Sequence, residues 1–254
     1  MHPFSPWLLP LMLLFLWQAA SAAGLFPPFL APSPAAVGRA FLSLLANGSL
    51  STHLLVSFGR VLAGFALAFF FAFPLGILSG RSLRLQRLTG PLFEFFRHIP
   101  PIATIPLLIL WFGIGELPKL AVIVLATFFP VFLNTEHGIR TVDPKLIEMG
   151  RVFGLSRRSI FLRLLLPAAL PDIFLGIRLG LGYSWRSLIG AELIAATSGL
   201  GYLILDAEQM SRPDVVLVGI FAIGVLGSLL DALFFKIGNR LLPWQKGENL
   251  HDLP

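Results

Sequence analysis

Hydrophobic residues in this chain fall into long, nearly uninterrupted runs, and arginine-rich stretches separate several of these runs. A helix that spans a membrane needs about 20 consecutive, mostly apolar residues. Six segments meet or approach that length, so the pattern predicts an all-α membrane protein with about six transmembrane helices in a single domain, residues 1–254. The predicted spans are 7–26, 54–78, 91–114, 117–133, 168–196 and 215–237.

The third span is the least regular of the six. Its clearly apolar part begins at Ile99, and Pro100, Pro101 and Pro106 interrupt it. A proline inside a helix removes a hydrogen bond and kinks or breaks the helix. We therefore expect this span to begin earlier, near Pro91, and to kink at Pro100 and Pro101.

The first span has a second interpretation, as a cleaved signal peptide. Residues 20–22, Ala-Ser-Ala, resemble a signal-peptidase site, and the apolar run before them is fairly short. A signal peptide normally begins with a positively charged region, and no Lys or Arg precedes Trp7. The missing charge favours a retained span over a cleaved one.

Composition supports the bilayer as the solvent of this chain. Hydrophobic residues make up 56% of it and charged residues 13%, whereas a typical soluble domain has about 25% charged residues. The mean hydropathy is +0.83. A soluble fold of this size would lack the polar residues needed to cover its surface.

Lysine and arginine residues lie mostly on one side of the predicted spans. Thirteen of the 19 fall in residues 79–98, in residues 134–166 and in the C-terminal tail: Arg81, Arg84, Arg87, Arg97, Arg140, Lys145, Arg151, Arg157, Arg158, Arg163, Lys236, Arg240 and Lys246. Cytoplasmic loops carry such an excess. The asymmetry predicts that these regions and both termini are cytoplasmic, and it explains the net charge of +6 without a nucleic acid partner.

Several kinds of chemistry find no support in the sequence. The chain has no cysteine, and its five histidines are scattered without the spacing of a zinc site. No Gly-Lys-Ser/Thr triplet of a P-loop occurs, so any ATP that drives this protein binds to another chain. We also find no convergent catalytic set. The sequence therefore predicts neither an enzyme nor a bound metal or cofactor.

The cytoplasmic segment 143–166 has the pattern of two short helices joined by a tight turn. Asp143 is a good N-cap and Pro144 suits the first helical position, which predicts a first helix over residues 145–153. Leu146, Met149 and Phe153 form one apolar stripe on it. A glycine, Gly154, follows at the position where helices end in a left-handed residue.

A second helix is predicted over residues 157–166, with Ser156 as its N-cap and Pro167 ending it and opening the fifth span. Its apolar face consists of Ile160, Phe161, Leu164 and Leu165. Periodicity alone leaves open an ordinary interfacial hairpin whose arginines contact lipid phosphates.

The spacing within this segment resembles a cytoplasmic motif of ATP-binding cassette (ABC) importer permeases, Glu-Ala-Ala, three residues, Gly, nine residues, Ile, one residue, Leu-Pro. Two alanines are replaced here by Met and Gly, and the isoleucine by Leu. The resemblance implies that the first helix is a coupling helix, which docks on a cytoplasmic ABC ATPase dimer. The implied docking residues are Glu148, Met149, Gly150, Gly154, Leu164, Leu166 and Pro167.

Further segments are similar to the nitrate, sulfonate, taurine and bicarbonate permeases of this class. They are residues 57–65, 96–101, 105–106, 111–116, 167–171, 176–179, 191–195 and 198–202. This resemblance implies a type I ABC importer permease fold in the bacterial inner membrane. It also implies a homodimer and an extracytoplasmic substrate-binding protein as a partner.

Four charged residues inside the spans are candidates for the translocation pathway: Arg60, Arg178, Arg186 and Glu192. Ionisable groups in a bilayer are costly and are often functional. An internal ion pair that pins helices is the alternative, and we favour it for Arg60 and Arg178. For Arg186 the pathway role is better supported, because a cation beside a central cavity would attract small anions.

The resemblance thus implies the permease subunit of an ATP-driven importer for a small anion or an organic sulfonate. A permease of the same family for a vitamin precursor is one alternative. An ion-coupled secondary transporter is another, although it would show internal repeats and need no docking motif.

Overall fold

The computed structural model describes residues 8–27 and 29–245, and this part of the chain is almost entirely helical. Trp7, where the first predicted span begins, and Lys246 of the basic tail lie outside the described residues. The α-helices are α1 (Leu8–Ala22), α2 (Pro34–Ala46), α3 (Ser49–Arg81), α4 (Leu83–Arg97), α5 (Ile105–Phe112), α6 (Glu116–Thr141), α7 (Pro144–Val152), α8 (Arg157–Ile160), α9 (Leu166–Ala195), α10 (Leu200–Gln209) and α11 (Pro213–Leu241).

Four helical segments of the described residues are long and apolar enough to cross a membrane. They are Ser49–Arg81, Glu116–Thr141, Arg157–Ile194 and Pro213–Leu241. A bent pair of helices makes a fifth if it counts as one span. The first predicted span corresponds to α1, which is apolar but has only 15 residues, about 22 Å of helix against a hydrocarbon core of about 30 Å.

The bent pair corresponds to the third predicted span. Helix α4 ends at Arg97, a 3₁₀ turn covers Pro101–Thr104, and α5 follows, with an angle of 85° between the two arms. Pro100 has an extended backbone, with ψ of 125°. A residue before a proline is disfavoured in a helix, so the Pro100–Pro101 pair ends α4 where the sequence predicts a kink.

The helices form two compact units. The second unit comprises residues 60–191 and 227–245 of the described chain, and α6 runs through its core. Glycines allow neighbouring helices to approach α6 closely. Gly64 of α3 lies against Ile123, and Gly76 lies against Thr135.

Helix α9 packs against α6 in the same way. A Cβ at Gly176 would come 2.9 Å from the Pro130 carbonyl oxygen, and one at Gly180 would come 3.0 Å from Val131 Cγ2. Gly176 and Gly180 therefore form a small-residue face that serves close helix packing.

The first unit comprises the described residues between 8 and 59 and residues 192–226. It contains α1, α2 and α10 and the adjoining ends of longer helices. The rings of Trp17 and Phe221 lie 6.5 Å apart, and Gly219 lies against Ile204.

The structure corrects the prediction that Pro167 ends a separate helix. Helix α8 continues through a π-turn, Phe161–Leu165, directly into α9, so that Arg157–Ile194 is one helical segment of 38 residues. In the π-turn the Leu166 amide donates to the Phe161 carbonyl. A regular α-turn would press the proline ring against the carbonyl four residues earlier, and the wider π-turn gives the ring room.

Candidate functional site

The cytoplasmic elbow of the sequence prediction, residues 143–166, is a well-defined local structure. Asp143 Oδ1 accepts the Lys145 amide at 2.9 Å, and Pro144 is the first helical residue. At the other end Gly154 has φ of 72°. These observations confirm the predicted N-cap and the predicted left-handed glycine.

Two backbone hydrogen bonds close the end of α7. The Leu155 amide donates to the Gly150 carbonyl at 3.0 Å, and the Gly154 amide donates to the Arg151 carbonyl at 2.9 Å. This pair of bonds is the Schellman arrangement, in which a left-handed residue satisfies the last carbonyls of a helix. Ser156 then caps α8 by accepting the Ser159 amide at 3.2 Å, as predicted. The turn is therefore fixed by backbone geometry.

The inner face of α7 packs tightly on the second arm of the elbow. Gly150 is buried, and a Cβ at this position would come 2.6 Å from Leu164 Cδ1 and 3.2 Å from Ile160 Cγ1. The absence of a side chain at Gly150 thus lets α7 lie directly against Leu164.

The outer face of α7 is apolar and uncovered in the chain. Met149, Val152 and Phe153 are 46%, 85% and 76% exposed, and Glu148 beside them is also exposed. The predicted stripe therefore points away from the rest of the unit, with Leu146 half-buried at its edge. Large apolar groups this exposed on a helix that the sequence predicts to be cytoplasmic indicate a contact surface.

A groove of about 870 Å³ runs beside α7. Its charged lining consists of Arg81, Glu148, Arg151 and Arg157, and apolar residues such as Ile147 form its floor. Arg81 also places its guanidinium 5.2 Å from the Phe161 ring centre. Three arginines against one glutamate give the groove a positive charge.

The remaining motif residues lie inside the second unit. Leu166 packs against the buried cluster of Ile139, Ala169 and Ile173, and Pro167 is half-buried within the continuous helix. Leu166 and Pro167 thus anchor the elbow to the helices, whereas Glu148 and Met149 are presented outward.

Arg60, a predicted pathway residue, forms an ion pair within the second unit. Its guanidinium donates two hydrogen bonds to Glu116, at 2.6 and 2.7 Å, and Lys119 Nζ donates to the same carboxylate at 2.8 Å. Arg60 is 7% and Lys119 3% exposed. Sequence reasoning missed Glu116 and Lys119, although their i, i+3 spacing at the start of a helix is the signal of such a pair.

Arg178 also has a carboxylate partner. It donates from Nε and Nη2 to the two oxygens of Asp231, at 2.7 and 2.8 Å. The geometry is the two-point contact that arginine makes best with a carboxylate. For both Arg60 and Arg178 the structure thus shows the ion pair that we favoured on sequence grounds.

Arg186 is different, because no carboxylate pairs with it in the described part of the chain. Its side chain is exposed, and its guanidinium lies 6.0 Å from the centre of the Tyr183 ring. It lines one pocket together with Arg178 and Asp231.

Glu192 is completely buried in the first unit and holds a turn of backbone. Its carboxylate accepts Ser57 Oγ at 2.8 Å and the Gly201 amide at 3.0 Å. Ser57 Oγ in turn accepts the Leu200 amide at 2.9 Å, and His53 Nδ1 accepts the Gly199 amide at 3.0 Å. Three side chains thus satisfy three consecutive amides at the start of α10, a role that sequence reasoning did not assign.

Several known proteins are similar in sequence to this chain over most of its length. Residues 72–242 match the family described as binding-protein-dependent transport system inner membrane component. The Escherichia coli protein named as aliphatic sulfonates transport permease SsuC is 41% identical over 98% of this chain and 94% of its own length. The Escherichia coli taurine transport system permease protein TauC is 36% identical over 92% of this chain and 86% of its own length. The Synechocystis bicarbonate transport system permease protein CmpB is 32% identical over 91% of this chain and 86% of its own length.

Solved structures share the fold. A chain of the MetNI methionine ABC transporter, in an inward-facing conformation, superposes with a TM-score of 0.64 at 20% identity, covering 74% of this chain and 96% of that one. A second crystal form gives a TM-score of 0.66 at 19% identity.

Proposed function

The chain belongs to the family of binding-protein-dependent transport system inner membrane components, and from that membership we propose that it docks a separate ABC ATPase through its elbow and imports a small organic sulfonate or related oxyanion. It is a permease of an ABC importer, in the inner membrane, with the type I importer permease fold.

One observation carries the docking proposal: the apolar outer face of α7 is exposed although the helix itself is rigidly capped. Met149, Val152 and Phe153 present this face, and Gly154 closes the helix beneath it. A rigid apolar surface loses little conformational entropy on binding, which favours a specific partner. The chain has no P-loop, so the ATPase that it would contact is a separate protein.

The charge of the adjacent groove supports the same partner surface. Arg81, Arg151 and Arg157 line it, with Glu148 as the one carboxylate. Complementary charge steers association and fixes the register of an interface. We therefore expect acidic side chains on the ATPase opposite these arginines and a donor opposite Glu148.

Continuity of the helix provides a route for coupling. The elbow leads through the π-turn into the segment Arg157–Ile194, whose 38 residues form one helix of about 57 Å. A displacement of α7 by the ATPase would therefore reach this helix through the capped turn at Gly154 alone. Alternation between inward-facing and outward-facing states would follow from such rigid-body movement.

The substrate and the remaining partners are inferred from relatives. The names of similar permeases specify aliphatic sulfonates, taurine and bicarbonate, which are all small and carry an anionic group. We propose the same class here, delivered by an extracytoplasmic binding protein to a homodimer of this chain. Both termini would lie in the cytoplasm, as the distribution of Lys and Arg predicts.

Co-purification tests the docking proposal. A tagged permease is expressed with an ABC ATPase and a binding protein from the same organism, and the ATPase recovered per permease is measured along with ethanesulfonate uptake. We expect Phe153→Asp to reduce both severalfold, because it places an uncompensated charge in the apolar contact. Membrane insertion should be unchanged.

A matched control is Ile114→Asp, since Ile114 is 83% exposed but lies in the turn between α5 and α6, away from the elbow. That variant should recover the ATPase as the wild type does. Normal recovery and uptake with Phe153→Asp would contradict docking through α7, as would an equal loss with both variants.

A further inference from the structure

A small pocket lies along α9 and α11 in the second unit. Its volume is about 160 Å³, and it is lined by Arg178, Leu181, Gly182, Trp185, Arg186, Gly227, Leu230, Asp231 and Phe234. At about 30 Å³ for each water in the liquid, this is roughly the volume of five waters. A short-chain organic anion fits such a space, whereas a nucleotide does not.

The charges of the pocket do not balance. Arg178 is neutralised by its two hydrogen bonds to Asp231, at 2.7 and 2.8 Å. Arg186 has no ion pair in residues 8–27 and 29–245, and its contact is with the face of the Tyr183 ring. The lining therefore carries one net positive charge, located at Arg186. A charged side chain within a span is costly and is often part of a substrate pathway.

The rest of the lining is apolar and shaped by glycine. Leu181 and Trp185 are buried in the wall, and no atom lies within 4 Å of a Cβ built at Gly182. Gly227 faces Trp185, so that a Cβ there would meet Trp185 Nε1 at 3.4 Å. The two glycines thus keep open a space that longer side chains would fill, beside a single cation.

We propose that this pocket is a binding subsite for one singly charged alkanesulfonate, with the sulfonate on Arg186 and the short alkyl chain against Leu181 and Trp185. This inference deepens the proposed function and rests on it. Arginine donates to two oxygens of a tetrahedral oxyanion at once. The apolar wall favours an alkyl chain, so a simple alkanesulfonate should bind better than zwitterionic taurine, whose ammonium group finds Asp231 already occupied by Arg178.

A phospholipid headgroup offers the same chemistry as a sulfonate, an oxyanion with one negative charge. Arg186 lies 20 residues after Leu166, about 30 Å along the helix, which is the thickness of the hydrocarbon core. The experiment must therefore separate a free anion from a bound lipid.

Equilibrium dialysis makes that separation. The full complex of permease and ATPase is placed in nanodiscs of phosphatidylcholine alone, or with phosphatidylglycerol added, and binding of radiolabelled ethanesulfonate is measured without the binding protein. Four variants are compared with the wild type: Arg186→Gln, Arg186→Lys, Gly182→Leu and Arg240→Gln. The last makes the same charge change near the end of α11, outside the pocket lining.

We expect Arg186→Gln to weaken ethanesulfonate binding about 10- to 100-fold, the cost of losing a charged hydrogen-bonding partner. Gly182→Leu should abolish binding by filling the pocket with Arg186 intact. Arg186→Lys should retain part of it, and Arg240→Gln all of it. Recovery of the ATPase with each variant shows that the variant permease is folded.

Unchanged binding with Arg186→Gln, or with Gly182→Leu, would overturn the subsite. The subsite would also be overturned if retention of phosphatidylglycerol depended on Arg186 and binding of ethanesulfonate did not, since the pocket would then be a lipid site. Failure of the proposed function looks different, because the wild-type chain itself would then recover no ATPase or take up no sulfonate.

Discussion

Gly150 lies directly against the Leu164 side chain, so closely that a Cβ at Gly150 would come 2.6 Å from Leu164 Cδ1. These are two of the positions at which this chain departs from the ABC permease motif, with Gly in place of Ala and Leu in place of Ile. The longer reach of Leu164 occupies the space that an alanine methyl group would need. One departure therefore accommodates the other, and the elbow remains tightly packed.

Pairing of these positions predicts that substitutions at them are coupled. Gly150→Ala gains up to about 1 kcal/mol of helix propensity, but overpacking against Leu164 costs about 1–3 kcal/mol. We expect the single variant to be destabilised. In a Leu164→Val background, which removes the Cδ atoms, the same change should be neutral or stabilising.

Thermal unfolding of the purified permease in detergent measures the coupling, with Gly38→Ala of α2 as the control. A Cβ at Gly38 meets no atom within 4 Å, so this variant should only gain helix propensity. Equal effects of Gly150→Ala with and without the Leu164→Val substitution would show that the two positions are independent.

Gly154 is constrained by its backbone rather than by its surroundings. Its φ is 72°, and a Cβ there would meet no atom within 4 Å. Gly154→Ala should therefore cost about 1–2 kcal/mol from the left-handed conformation alone, and Gly154→Asn should cost less, since asparagine tolerates that region. Thermal unfolding and ATPase recovery should rank the variants Gly, Asn, Ala. Ala performing as well as Gly would show that the turn relaxes to another shape.

The elbow could be predicted in detail because its determinants are local. Asp143, Gly154 and Ser156 act on amides and carbonyls within a few residues of themselves, so sequence spacing is sufficient. Continuity through Pro167 could not be predicted, because it depends on a π-turn that no residue pattern marks. The sequence indicates that proline is disfavoured there but not how the helix adapts.

For the charged groups, contacts between residues far apart in the sequence could not be predicted. Arg60 and Glu116 are 56 residues apart, and Ser57 and Glu192 are 135 apart. Sequence identified Arg60 and Glu192 as unusual inside a span, yet their partners depend on which helices pack together. That is why Glu192 was predicted to line a pathway, while the structure also gives it the role of capping the amide of Gly201.

Glu116 should matter more to stability than its exposure suggests. It is 57% exposed, but its single carboxylate pairs with two buried cations, Arg60 and Lys119. Removing one partner of a buried ion pair costs about 3–5 kcal/mol, and partial exposure of Glu116 reduces this to about 2 kcal/mol. We expect Glu116→Ala to lower the unfolding temperature clearly and Lys119→Met to lower it less, because Arg60 and Glu116 remain paired.

Glu94→Gln is the matched control for that measurement. Glu94 is equally exposed, but its partner Arg97 is itself 42% exposed, so the change should cost only about 0–1 kcal/mol. A similar unfolding temperature for Glu116→Ala and Glu94→Gln would mean that Arg60 and Lys119 find other compensation.

The start of α10 offers the most specific test, because each of its amides has a different side-chain acceptor. Glu192 accepts the Gly201 amide, Ser57 the Leu200 amide and His53 the Gly199 amide. Hydrogen exchange of these amides, followed at single-residue resolution, should therefore respond to each substitution separately.

Ser57→Ala should deprotect Leu200 first, and Glu192→Ala should deprotect Gly201 and, through the loss of Ser57 orientation, Leu200. Each buried group left unsatisfied costs about 1–3 kcal/mol, so protection should fall about 5- to 150-fold.

Gly199→Ala is the sharpest variant, since φ is 115° there and a Cβ would overlap the Glu192 carboxylate. Uniform loss of protection across α10 in every variant would show that these side chains stabilise the helix as a whole and do not cap individual amides.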